Sequence, residues 1–162
     1  MRPLIIRGPL GIGKSTIAKA VAEKTGGEYI SVDQVLAQHG LDKAIGGGGI
    51  PLANFLKANV IITQESGRTA TTGKRPVIDG NFYHKEQLEN LVALLGGEPI
   101  VITLKAPVET CIARDAGREK PYGEDAVRAV HQLVSAFDYG TVVESGNQSE
   151  DETIQTVMGA LG

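Results

Sequence analysis

The sequence predicts an α/β protein, a parallel β-sheet with helices packed on both faces. Two observations carry this. Short apolar runs alternate with helix-length segments of 3.6-residue periodicity along the chain. The runs are apolar at nearly every position, as strands buried on both faces must be. Glycine, 21 of 162 residues, collects at 8–13, 46–49, 96–97 and around 140–146, so it punctuates loops and does not form a low-complexity tail.

PLIIRG (3–8) reads as the first strand. KSTIAKAVAEKTGG (14–27) reads as the first helix, with Ile17, Ala18, Val21 and Ala22 on one stripe and Gly26-Gly27 ending it. EYISVD (28–33) is the second strand, followed by a short helix from Gln34 to about His39. Residues 41–75 are irregular apart from one helix around PLANFLKANVIITQES (51–66). RPVIDG (75–80) is the third strand and KEQLENLVALL (85–95) the helix after it. PIVITLKA (99–106) is the fourth strand, and PVETCIARDAGR (107–118) opens a helix with proline in its favoured first turn. GEDAVRAVHQLVSAF (123–137) is a helix, GTVVES (140–145) the fifth strand, and SEDETIQTVMGAL (149–161) a final helix with a serine cap and an acidic first turn.

A chain of 162 residues suits one domain with one sizeable core, and no linker or repeat divides it. A net charge of -3 argues against a surface that coats nucleic acid. The one cysteine, Cys111, excludes an internal disulfide and reads as a small buried hydrophobe in a reducing compartment. MRPLIIRG has too short an apolar run for a signal peptide, and no stretch approaches a membrane span. A cytoplasmic protein with no membrane partner is expected.

GPLGIGKST lies between the first strand and first helix, and Gly8, Gly13, Lys14 and Ser15 match G-x-x-x-x-G-K-[ST]. Each residue type has a task in holding phosphate. The glycines let the loop wrap so that backbone N–H groups, including those of Gly11 and Ile12, point inward, and the helix N-terminus adds its dipole. Lys14 reaches the terminal phosphates, the Ser15 hydroxyl suits Mg2+, and Thr16 is placed for a further phosphate contact. The pattern implies a nucleoside triphosphate site, with ATP and Mg2+ as expected ligands. If the third strand neighbours the first, Asp79 at the end of VIDG stands beside Ser15 and faces that metal. The alternative for Asp79 is a turn-forming Asp-Gly pair.

With these residues in view, the chain resembles the small P-loop kinases: adenylate, shikimate and gluconate kinase, and closest of all the polynucleotide kinase and zeta-toxin-like branch. The resemblance rests on the phosphate loop, on VIDG and on CIARDAGREKPYGED (111–125). It implies a three-layer α/β/α domain with five parallel strands in order 2-3-1-4-5. It also implies an acceptor-binding insert over about 34–75 and a short lid over about 114–123. Arg114 and Arg118 are four apart, so on a helix they share a face. By resemblance one packs on the adenine and the other clamps the phosphates, and a planar cation suits charge on transferring phosphoryl oxygens. Arg114 is thus expected on the nucleotide, and Lys14 and Arg118 in catalysis. The alternative for the two arginines is a solvated helix face.

The implied activity is transfer of the γ-phosphate of ATP to a hydroxyl of a small molecule, a nucleoside or a nucleic-acid 5′ end. Kinases of hydroxyl acceptors carry an aspartate after the second strand, the place of Asp33, where it would act as base. An aspartate there also makes a good helix N-cap, and both roles stay open. The aspartate pair of shikimate kinase is a single residue here, and DGFPR of adenylate kinase is answered by DGNFY (79–83). In the following residues, Asn81 and His84 are candidates to hydrogen-bond hydroxyls and Tyr83 to stack a ring. Core packing by Phe82 and Tyr83 is the competing reading. Arg68, Lys74 and Arg75 are candidate anion contacts or plain surface charges. Two other readings remain: a nucleoside monophosphate kinase with a phosphate acceptor, and a non-catalytic nucleotide-binding regulatory protein.

Overall fold

Five parallel strands in the order β2-β3-β1-β4-β5 form the centre of the computed structural model, which describes residues 1–46 and 48–162. The strands are β1 Leu4–Arg7, β2 Glu28–Ser31, β3 Pro76–Gly80, β4 Ile100–Lys105 and β5 Thr141–Glu144. The helices are α1 Lys14–Thr25, α2 Val32–Gln38, α3 Leu52–Thr71, α4 Lys85–Leu95, α5 Val108–Ala116, α6 Glu124–Val134 and α7 Glu150–Gly159.

The two-residue period of β1 sorts its side chains between two cores. Leu4 and Ile6 pack with Ile17, Val21 and Val157 of α1 and α7, whereas Ile5 packs with Phe55, Ile62 and Leu88 of α3 and α4. All five residues of β3 are buried, which accounts for a run with no polar alternation before Asp79. Register places Ile6 and Ser31 opposite Asp79 on either side, so the carboxylate stands at the carboxyl edge of the three strands where ligands bind.

Several elements differ from expectation for identifiable reasons. β2 stops at Ser31, because the Ser31 hydroxyl accepts the Gln34 N–H at 3.2 Å and starts α2 two residues early. Asp33 is therefore inside the first turn and is not the helix cap. α3 runs to Thr71, well past residue 66, because its buried stripe continues from Phe55, Asn59 and Ile62 through Ser66 and Thr69. Small polar residues hide that stripe from a hydrophobic pattern. α5 ends at Ala116, so Arg118 lies beyond it and shares no helix face with Arg114.

Candidate active site

The loop between β1 and α1 is shaped by close approach. Gly11 has φ 81, and a Cβ there would collide with the Cys111 carbonyl of α5. α1 then begins with no side chain capping it, which leaves the first-turn N–H groups available to an anion. Lys14 is buried, and desolvation lowers its pKa while Asp79 and Asp33 act in the opposite direction. Gly13, Lys14, Ser15, Thr16, Arg114 and Arg118 line a cavity of about 430 Å³. A neighbouring cavity of about 300 Å³ runs past Ile12, Gly13 and Arg114 to Gln148 and Ser149.

Asp79 is 4% exposed and accepts two short hydrogen bonds on Oδ2. The Ser15 hydroxyl donates at 2.8 Å and the Tyr29 hydroxyl at 2.6 Å. Burial, together with the bond to Asp79, pushes the Tyr29 phenol up to about 12. A carboxylate and a hydroxyl side by side at the phosphate loop match the needs of Mg2+. That ion takes one or two protein oxygens and completes its shell with phosphate and water. No cluster of three or more acidic, histidine or cysteine ligands occurs among the described residues.

Arg114 holds the loop in place. Its Nη1 donates to the Ile12 carbonyl at 3.2 Å and its Nη2 to the Ser145 carbonyl after β5 at 3.0 Å. Arg118 is exposed, with its guanidinium 4.5 Å from the centre of the Tyr122 ring. The segment carrying both is clamped by Asp115, 2% exposed, whose two oxygens accept the N–H groups of Tyr122 and Gly123 at 3.1 and 3.0 Å. Gly123 caps α6, so Asp115 joins the end of α5 to the start of the next helix.

A third cavity, of about 460 Å³, opens beside Asp33. Its walls include Leu36, Phe55, Phe82, Tyr83 and Val130, with Asn81 and Gln87 among the polar residues. Solvent reaches the Asp33 carboxyl through the open cleft, yet the surrounding walls withdraw enough water to raise its pKa, partly offset by Lys14. Phe82 is 1% exposed and adopts φ 50, a left-handed conformation unusual for an aromatic residue. Its carbonyl thereby accepts from Arg7 Nη2 at 3.3 Å. Arg7 is wholly buried, also donates to the Val134 and Phe137 carbonyls and to Thr103, and burial lowers its pKa to about 10.

The structure thus gathers Lys14, Ser15, Asp79, Arg114 and Arg118 around the phosphate loop, with Asp33 facing the adjoining cavity. Asn81 and Tyr83 line that cavity, but the His84 ring packs 4.7 Å from the Tyr83 ring and is not among its walls. Arg68, Lys74 and Arg75 are far from it, toward the opposite edge of the sheet, where the Arg75 carbonyl accepts the Glu28 N–H that opens β2. They are no part of the site. Sequence reasoning missed Tyr29, Asp115 and Gln87. Tyr29 shares a face of β2 with Ser31, a signal that becomes readable only once β2 is known to lie next to β3.

Comparison with known proteins agrees with this geometry. A profile of the family described as AAA domain (AAA_33) matches residues 4–137. A protein of Thermococcus kodakarensis named "Putative adenylate kinase" is 33% identical over 150 residues, 93% of this chain and 75% of that protein. Among solved structures, a sugar kinase from Janibacter sp. superposes with a TM-score of 0.77 at 20% identity, covering 99% of this chain and 94% of that one. The APS kinase of Mycobacterium tuberculosis, solved with AMPPNP and APS, gives a TM-score of 0.71 at 17% identity, covering 99% and 97%. The fold is therefore that of the P-loop kinases, and the chain belongs to the AAA_33 family of P-loop proteins.

Proposed function

We propose that this protein transfers the γ-phosphate of ATP to a hydroxyl group of a small molecule, a nucleoside or a nucleic-acid 5′ end. The observation that carries this reading is Asp33. Its carboxylate is released from capping duty by Ser31 and stands where the acceptor cavity meets Lys14 and Asp79. In the reaction the acceptor O–H gives its proton to Asp33 as its oxygen bonds to the γ-phosphorus. The bond from that phosphorus to the bridging oxygen breaks, and ADP leaves. Loop amides, Lys14 and the α1 N-terminus hold the phosphates, and Arg118 meets the charge that spreads over the transferring oxygens. Ser15 and Asp79 would hold Mg2+, which supplies charge neutralisation at the phosphates when bound. Arg114 fixes the loop edge next to the nucleotide.

The residues of about 34–75 serve as the acceptor-side insert, since Leu36, Asp42, Ile50 and Phe55 line that cavity. Those of about 114–123 serve as the lid. A cytoplasmic location suits the chemistry; no helix among the described residues is long and apolar enough to cross a membrane. One observation favours a second reading, a kinase of nucleoside monophosphates: the 33% identical relative carries an adenylate kinase name. Transfer from γ-labelled ATP to a panel of nucleosides, 5′-hydroxyl oligonucleotides, sugar acids and monophosphates separates the two. Label in a new phosphate ester of a hydroxyl is the expected product. Label in a diphosphate, with no ester formed, overturns the reading.

A further inference from the structure

The cavity beside Asp33 carries charge of one sign. Among the described residues that line it, Asp33 and Asp42 are charged, and neither lysine nor arginine is present. Lys14, the buried cation acting on Asp33, is assigned to the nucleotide phosphates, and the buried Arg7 is committed to three backbone carbonyls and Thr103. An acceptor with a phosphate or carboxylate would therefore enter against two carboxylates with no cation in the walls to receive it.

Two amide side chains in the same walls carry buried polar atoms without partners. Gln87 is 1% exposed, and both its Oε1 and its Nε2 are buried without a hydrogen bond. Its main chain is held, by the Asn59 Nδ2 donating to its carbonyl at 2.9 Å, so the side-chain amide alone is left over. Asn81 Oδ1 is likewise buried and unpaired. A primary amide presents a donor next to an acceptor, whichever way it is turned, and the two together complement a cis-amide edge. Leaving such a group unsatisfied is costly, and a site built to hydrogen-bond its ligand discriminates strongly against analogues that cannot. Phe55, Phe82 and Val130 meanwhile offer apolar walls for a flat ring.

We propose that the acceptor is an uncharged nucleoside whose base edge pairs with the Gln87 side chain and whose hydroxyl meets Asp33, and that anionic acceptors are excluded. This rests on the reading of the cavity as the acceptor site. The test is equilibrium binding by calorimetry to the protein loaded with Mg2+ and the β,γ-imido analogue of ATP. The probes are the four common ribonucleosides and their deoxy forms, the matching 5′-monophosphates, and gluconate. At least one nucleoside should bind roughly tenfold or more tightly than its own monophosphate and than gluconate. Gln87→Leu should weaken that nucleoside by about tenfold or more, with the ATP analogue bound as before and Tm not lowered, because an unpaired amide is being removed. Asp42→Lys, at an exposed position, should narrow the gap between nucleoside and monophosphate.

Three results overturn the proposal: no nucleoside binds, a monophosphate or gluconate binds as tightly, or Gln87→Leu binds nucleoside like wild type. Binding needs no chemistry, so the two readings fail separately. Nucleoside binding that depends on Gln87, without phosphate transfer, refutes the kinase reaction and leaves the nucleoside site standing. Efficient phosphorylation of a sugar acid upholds the reaction and refutes the inference.

Discussion

Replacing Tyr29 with phenylalanine removes one oxygen and tests the support of Asp79 directly. The Tyr29 hydroxyl donates at 2.6 Å to a carboxylate that is 4% exposed. A hydrogen bond to a charged group is worth about 1.5–3 kcal/mol. The phenol moves from 10.0 to about 12, chiefly by burial and then by the bond to Asp79. Tyr29 is only half-buried, which puts the bond at the low end, about 1–2 kcal/mol. The sign follows from which form the fold prefers. The folded protein holds the phenolic proton more tightly than the unfolded chain. The contribution is therefore complete below pH 10 and fades as pH rises through 10 to about 12. Urea unfolding of Tyr29→Phe at pH 7 should show a lower midpoint with an unchanged slope, equivalent to about 1–2 kcal/mol. Repeated from pH 8 to 12, the gap between wild type and variant should close above pH 10. Equal midpoints at pH 7, or a gap that stays constant through pH 12, would refute this account of Asp79.

Lys14→Ala should abolish phosphate transfer without unfolding the protein; circular dichroism and a γ-label assay check both halves. Asp79→Asn should raise the Mg2+ concentration needed for half-maximal rate more than it weakens nucleotide binding, as read by metal titration against calorimetry. Arg118→Ala should lower kcat by more than about ten-fold, the modest end of what such arginines contribute. Arg114→Ala, which frees the Ile12 and Ser145 carbonyls, should chiefly raise KM for ATP in steady-state kinetics.

The alternation of buried strands with helices and the phosphate loop were legible because they depend on local chemistry: apolar runs, a glycine loop, and a lysine and serine opening a helix. The sheet order was implied only by the resemblance to small P-loop kinases. What was not legible depends on contacts across the sheet. The position of Asp33 could not be separated from helix capping until the hydrogen bond of Ser31 to Gln34 was seen. Arg114 and Arg118 looked like a helical pair because the four-residue spacing was read through Gly117, the residue that caps α5 after Ala116. Tyr29 reaches Asp79 from 50 residues away in sequence. Gln87 looked like an ordinary polar position in an amphipathic helix, and only its burial against α3 and the cavity distinguishes it. The polar stripe of α3 misled in the same way, since Ser66 and Thr69 are buried by tertiary packing.

The central claim is that Asp33 handles the acceptor proton, and the rate of phosphate transfer by Asp33→Asn tests it most directly. Ser31 supplies the cap, so the substitution leaves α2 intact, and loss of a first-turn charge costs stability by less than about 1 kcal/mol. The phosphates and metal are held by other residues, so ATP–Mg2+ should bind as it does to wild type. Transfer to a hydroxyl acceptor should fall by about 10²–10⁴, the range for a positioned general base. Wild-type rates of transfer by a folded, ATP-binding Asp33→Asn variant would contradict the account.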